Sequence, residues 1–111
     1  MDENSKMYVV LTTAPDREKA ESLALKIVEA RLAACVQVLP QMTSFYFWED
    51  AVQKDPEHLL LIKTLAENFG DLCKFIQSNH SYDVPEIVAL PAEKVSGDYL
   101  NWMKEYLQGR I

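Results

Sequence analysis

At 111 residues, 49% of them hydrophobic and 25% charged, the chain has the size and composition of one globular domain, which excludes disordered and fibrous classes. A formal net charge of −6 without any cluster of Lys and Arg excludes an electrostatic nucleic-acid binder. No stretch approaches the ~20 apolar residues of a membrane-spanning helix. The polar start, residues 1–6, and the short apolar run after it do not form a signal peptide, so a cytoplasmic location is expected.

Tyr8-Val9-Val10-Leu11 is β-branched and apolar throughout, and predicts a central strand covered on both faces. Pro15 and Asp16 start a helix, with Asp16 and Glu18 at the positive end of its dipole. Ala20, Leu23, Ala24, Ile27 and Val28 then form one buried stripe, and the helix ends near Arg31.

Ala34 to Leu39 reads as a strand, Pro40 interrupts its ladder, and Thr43 to Trp48 reads as strand again. Fully extended, Ala34 to Trp48 would reach roughly 50 Å at ~3.3 Å per residue. A globule of this size is only about 34 Å across. The strand must therefore bend or reach beyond its own subunit. Phe45 and Phe47 face one way while Tyr46 and Trp48 face the other. One face can pack on the domain's own helices; the other calls for a partner subunit.

Glu49-Asp50-Ala51 predicts a turn, with Asp50 suited to a left-handed backbone, and Glu57 to Thr64 returns as a hairpin strand. Phe69, Leu72, Cys73 and Ile76 mark a second helix. His80 to Pro85 is a loop, and Glu86 to Leu90 a further strand closed by Pro91. Ser96 or Asp98 caps a last helix bearing Tyr99, Trp102, Met103, Tyr106 and Leu107, and Gly109 suits its end. The order βαββαβ plus a helix is a ferredoxin-like α+β fold, an antiparallel sheet with helices on one face and the other face left apolar. One domain over residues 7–111 follows a polar tail at 1–6.

Six segments in register resemble the CutA (divalent-cation tolerance) family: Thr12-Thr13-Ala14-Pro15, Leu32 to Val36, Ser44 to Trp48, Ile62-Lys63-Thr64, His80 to Ile87, and Tyr99 to Trp102. The resemblance implies a homotrimer of ferredoxin-like subunits that binds copper or another divalent cation, with a fold similar to the PII signalling proteins. It also implies an intersubunit cleft lined by Lys63, Tyr46, Trp48, Tyr82 and Trp102. The chain departs from the family where some members carry a cysteine at the place of Thr12 and a histidine at that of Asn79, which removes donors that favour copper.

His80 and Glu86, with Asp83 as a third donor, are the candidate metal ligands; the alternative is that His80 caps the second helix or bonds across a subunit boundary. Glu86 pairs with Lys63 or is itself buried. Lys63 and the aromatics also admit a PII-like trimer that binds a small anionic ligand or a protein partner. Cys35 and Cys73 are expected to be reduced and packed in the core, and His58 to be exposed. No phosphate loop, nucleophile elbow, Cys-x-x-Cys or His-Glu-x-x-His occurs, so no enzyme and no organic cofactor is expected.

Overall fold

The computed structural model describes residues 5–111; Met1 to Asn4 of the polar tail lie outside the described residues. In chain order the elements are β1 (Met7–Ala14), α1 (Arg17–Glu29), β2 (Cys35–Val38), β3 (Met42–Trp48), β4 (Ala51–Leu65), α2 (Phe69–Asn79), β5 (Val88–Pro91) and α3 (Gly97–Leu107). The sheet order is β2-β4-β1-β5 with every pairing antiparallel, and β3 pairs with the first half of β4.

The Asp16 carboxylate accepts the Lys19 N–H at 2.8 Å and starts α1, and Ala20, Leu23 and Ile27 are its buried stripe. At the other end Arg31 takes a left-handed backbone, φ 57°, where glycine is usual. Its side chain compensates. The guanidinium donates to the Tyr106 carbonyl at 2.7 Å and lies 4.3 Å over the Tyr106 ring, tying the end of α1 to α3.

Two cores result. Val10, Leu60 and Ile62 of the sheet meet Leu23, Ile27, Leu72 and Ile76 of α1 and α2. Each fully buried side chain of this kind contributes about 1.5–3 kcal/mol, so this layer dominates the stability. On the opposite face, Met7 and Leu65 pack with Ala34 and Met103 of α3. The expected one-sided packing is thus corrected: α3 covers one end of the second face. The rest of that face stays open.

Several expected boundaries shift. β1 runs on through Thr12, Thr13 and Ala14, because those residues pair with Leu60, Leu59 and His58. β4 starts at Ala51 rather than Glu57, since Ala51 to Glu57 pairs along β3. Pro56 is tolerated there because this half of β4 is flanked by a strand on one side only. β5 starts at Val88, and Pro91 belongs to it, opposite Tyr8. The hairpin turn is Glu49-Asp50, with φ 52° and 62°, a type I′ turn matched to the twist of its strands.

Where Pro40 interrupts the strand, the register slips. Val38 lies opposite Leu60 and Met42 opposite Glu57, so three residues face two across the gap. That extra residue is a bulge. Before it, Cys35 and Gln37 share a face with Lys63 and Leu61; after it, the even residues Ser44, Tyr46 and Trp48 share that same face with Asp55, Gln53 and Ala51. One added residue turns two aromatics toward the open side of the sheet. His58, expected to be exposed, is 8% exposed beside the bulge, and its Nδ1 donates to the Leu39 carbonyl at 2.9 Å.

Candidate functional site

The re-aimed face meets the loop that follows α2. Thr13 of β1, Ser44, Phe45, Tyr46 and Trp48 of β3 and Glu57 of β4 form the walls of an open cavity of about 620 Å³, bounded on its other side by the loop from Ser81 to Glu86. Three carboxylates, Glu57, Asp83 and Glu86, lie on its lining, and among the described residues no Lys, Arg or His does.

His80 holds that loop. Its Nδ1 accepts the Tyr82 N–H at 3.0 Å, which fixes the proton on Nε2, and Nε2 donates to the Thr13 carbonyl at 2.6 Å. The Tyr82 ring packs 4.8 Å from the imidazole. Both ring nitrogens are committed within the chain, so a metal could take His80 only by displacing the Tyr82 N–H. His80 orders the loop that carries Asp83 and Glu86.

Glu57 is 7% exposed, and its Oε2 accepts the Tyr82 hydroxyl at 2.7 Å. Burial pushes the Tyr82 hydroxyl above the ordinary tyrosine range, reinforced by the bond to Glu57 and by that carboxylate's charge. Tyr46 donates to Asp55 at 2.6 Å, and that bond holds its hydroxyl above the ordinary range too. The raised Tyr82 value means that the folded state keeps a proton which the unfolded chain loses from pH 10 upward. This stabilisation is complete below pH 10 and lost as the pH climbs toward the folded-state value. Urea unfolding of Tyr82→Phe should therefore fall less steeply above pH 10 than that of the wild type.

Of the residues singled out from the sequence, Tyr46, Trp48, Tyr82, Asp83 and Glu86 line the cavity. Lys63 and Trp102 do not. Lys63 sits opposite Val9 and Cys35, and its ammonium lies 5.6 Å over the Tyr99 ring, which itself packs at a 45° tilt against Trp102. The expected Glu86–Lys63 pair is absent among the described residues, where Arg17–Glu21 is the one ion pair. Glu86 lies in the loop before β5 and is exposed. Cys35 and Cys73 are free but half-buried rather than in the core. Thr12 is fully buried with its hydroxyl unpartnered, on the helix-facing side of the sheet, so a donor at that position points away from the cavity. The Asn79 amide donates to the Phe75 carbonyl at 2.8 Å and finishes α2. Among the described residues no three His, Cys, Asp or Glu side chains gather closely enough to hold a metal ion.

Glu57 and Asp55 were not singled out from the sequence. A carboxylate ahead of an apolar run reads as a strand end in water, and it is the loop folding over Glu57 that buries it.

Residues 8–106 match the sequence profile of a family described as CutA1 divalent ion tolerance protein. A divalent-cation tolerance protein CutA of Thermus thermophilus is 46% identical over 87% of this chain and 94% of its own length. A chloroplastic CutA of Arabidopsis thaliana is 46% identical over 94% of this chain, which spans 59% of that protein's length. The crystal structure of a CutA1 from Oryza sativa superposes with a TM-score of 0.90 at 40% identity, covering 95% of this chain and 96% of that one. None of these names describes a catalysed reaction.

Proposed function

The chain belongs to the CutA1 divalent ion tolerance family, and from that premise we propose that it is a homotrimeric divalent-cation-binding protein whose site is completed at subunit boundaries. The observation that carries this reading is the cavity lined by Glu57, Asp83 and Glu86 without a single cationic side chain among the described residues. Oxygen donors suit hard or borderline divalent cations. One chain brings too few converging donors for a closed coordination shell. A neighbouring copy supplies the remainder, with Glu86 as the direct ligand from this chain and His80 as the residue that positions it.

The ferredoxin-like assignment is supported by the strand order β2-β4-β1-β5 with α1 and α2 on one face. The trimer is supported by the open part of the other face, where Val88 and Leu90 are 45% and 48% exposed, and by Phe45 and Phe47 at 66% and 70%. Copper is the least favoured of the candidate ions, because among the described residues no thiol or imidazole lines the cavity. A small anionic ligand is disfavoured there as well, since Lys63 lies outside it.

Calorimetric titration with Zn(II) and Cu(II) tests the proposal. Glu86→Gln is expected to weaken Zn(II) binding about tenfold, the value of one charge-assisted contact. Equal affinity in the two proteins removes Glu86 from the site.

A further inference from the structure

The same cavity has walls that a bare metal ion does not use. Tyr46, Trp48 and Tyr82 present aromatic surface around a space of about 620 Å³, within the range of small-molecule sites. A metal ion needs donors converging on one point, and among the described residues they do not converge. A cation that carries hydrocarbon needs something else: carboxylates spaced along a cavity and aromatic faces between them.

The floor of the cavity makes the same point independently. Glu57 is more than nine-tenths buried and lines the cavity. Its Oε2 accepts from Tyr82, while no cationic side chain pairs with it among the described residues. A carboxylate removed from water without a counter-charge is costly to hold, and a ligand that brings a positive charge into the cavity relieves that cost.

We propose that this cavity binds an organic dication of the linear alkyl-diammonium class, one ammonium on Glu57 and the other toward Asp83 and Glu86, with the alkyl chain against Trp48 and Tyr46. The inference goes beyond the divalent-metal reading and does not rest on it. A primary ammonium has two sources, a free diamine or a lysine side chain of another copy. The carboxylates on the lining outnumber a single charge, which favours the free diamine.

The test is a titration of ¹⁵N-labelled full-length chain with 1,4-diaminobutane at low ionic strength, following the indole N–H signals. Trp48 lines the cavity and Trp102 does not, so the protein carries its own control. The expected result is a saturable shift of Trp48 with Trp102 unmoved. Glu57→Gln should weaken the affinity about tenfold. Should that variant unfold, Trp48→Leu, at a position 45% exposed within one subunit, is followed by calorimetry with the same expectation. N-acetyl-lysine methylamide, with one charge, should bind about tenfold more weakly than the diamine.

Equal shifts at both indoles, or an affinity untouched by either substitution, overturn the proposal as general attraction to an acidic protein. Equal binding of the lysine derivative overturns it in favour of a lysine side chain. Absence of any diamine response with retained, Glu86-dependent Zn(II) binding overturns it and leaves the metal reading standing. Loss of Zn(II) binding with a retained Trp48 response does the reverse.

Discussion

Replacing His80 with alanine is expected to lower the unfolding free energy by about 2–3 kcal/mol, in the absence of any metal, as read from urea denaturation. The imidazole ties the loop after α2 to β1 through the Thr13 carbonyl. Removing it leaves the Tyr82 N–H and the Thr13 carbonyl without their partners. Each abandoned backbone group costs about 1–3 kcal/mol when it stays out of water, and somewhat less when the loop lifts and lets water in. The contact with the Tyr82 ring is lost as well. A histidine whose purpose is metal ligation predicts the opposite: its removal leaves the metal-free protein unchanged and abolishes only the stabilisation that added metal confers. A loss below about 0.5 kcal/mol, the ordinary range for surface substitutions, would mean that these two bonds do not order the loop.

The substitution also separates two effects that the sequence presents as one. His80 and Glu86 stand six positions apart in a loop, and both are residue types that bind metals. The structure gives them different tasks. His80 turns inward to β1, while Glu86 remains exposed on the lining of the cavity. A measured loss of Zn(II) affinity in His80→Ala therefore reports a displaced loop unless Glu86→Gln reproduces it.

How much of this is legible in the sequence depends on whether a feature is local. The α1 cap at Asp16, its stripe of Ala20, Leu23 and Ile27, and the Glu49-Asp50 turn follow from neighbours in the chain, and they stand where periodicity puts them. The sheet residues are different. Pro40 announces an interruption, but not that three residues will face two across it, and that count decides which way Tyr46 and Trp48 point. Lys63 and Glu86 look like partners because each stands at the end of an apolar run. Register places Lys63 beside Cys35 and Val9, over Tyr99 of α3 and outside the lining of the cavity. His58, next to Leu59, reads as an exposed strand residue; it is buried beside the bulge, where its Nδ1 donates to the Leu39 carbonyl. The second core under α3 escapes notice for a related reason. An amphipathic C-terminal helix does not declare which face of a sheet it will cover.

Val88→Glu is expected to convert the proposed trimer, about three times 12.7 kDa, into a single folded subunit, measured by light scattering after gel filtration. Val88 lies on β5 opposite Leu11, on the part of the sheet that α3 leaves uncovered, and it is 45% exposed in one subunit. A glutamate there is readily solvated in the isolated chain, so the fold should tolerate it. In the proposed trimer the same carboxylate would be trapped in an apolar contact, a penalty of several kcal/mol per copy. The threefold symmetry of the proposed trimer would repeat that penalty three times, more than a moderate interface can absorb. Leu25→Glu provides the contrast. Leu25 is 60% exposed on α1, on the helix side of the sheet, and its substitution should leave the mass unchanged. Should the unsubstituted chain already run near 12.7 kDa at micromolar concentration, the open face has some other cover, and the boundary site proposed for the metal loses the neighbour that completes it.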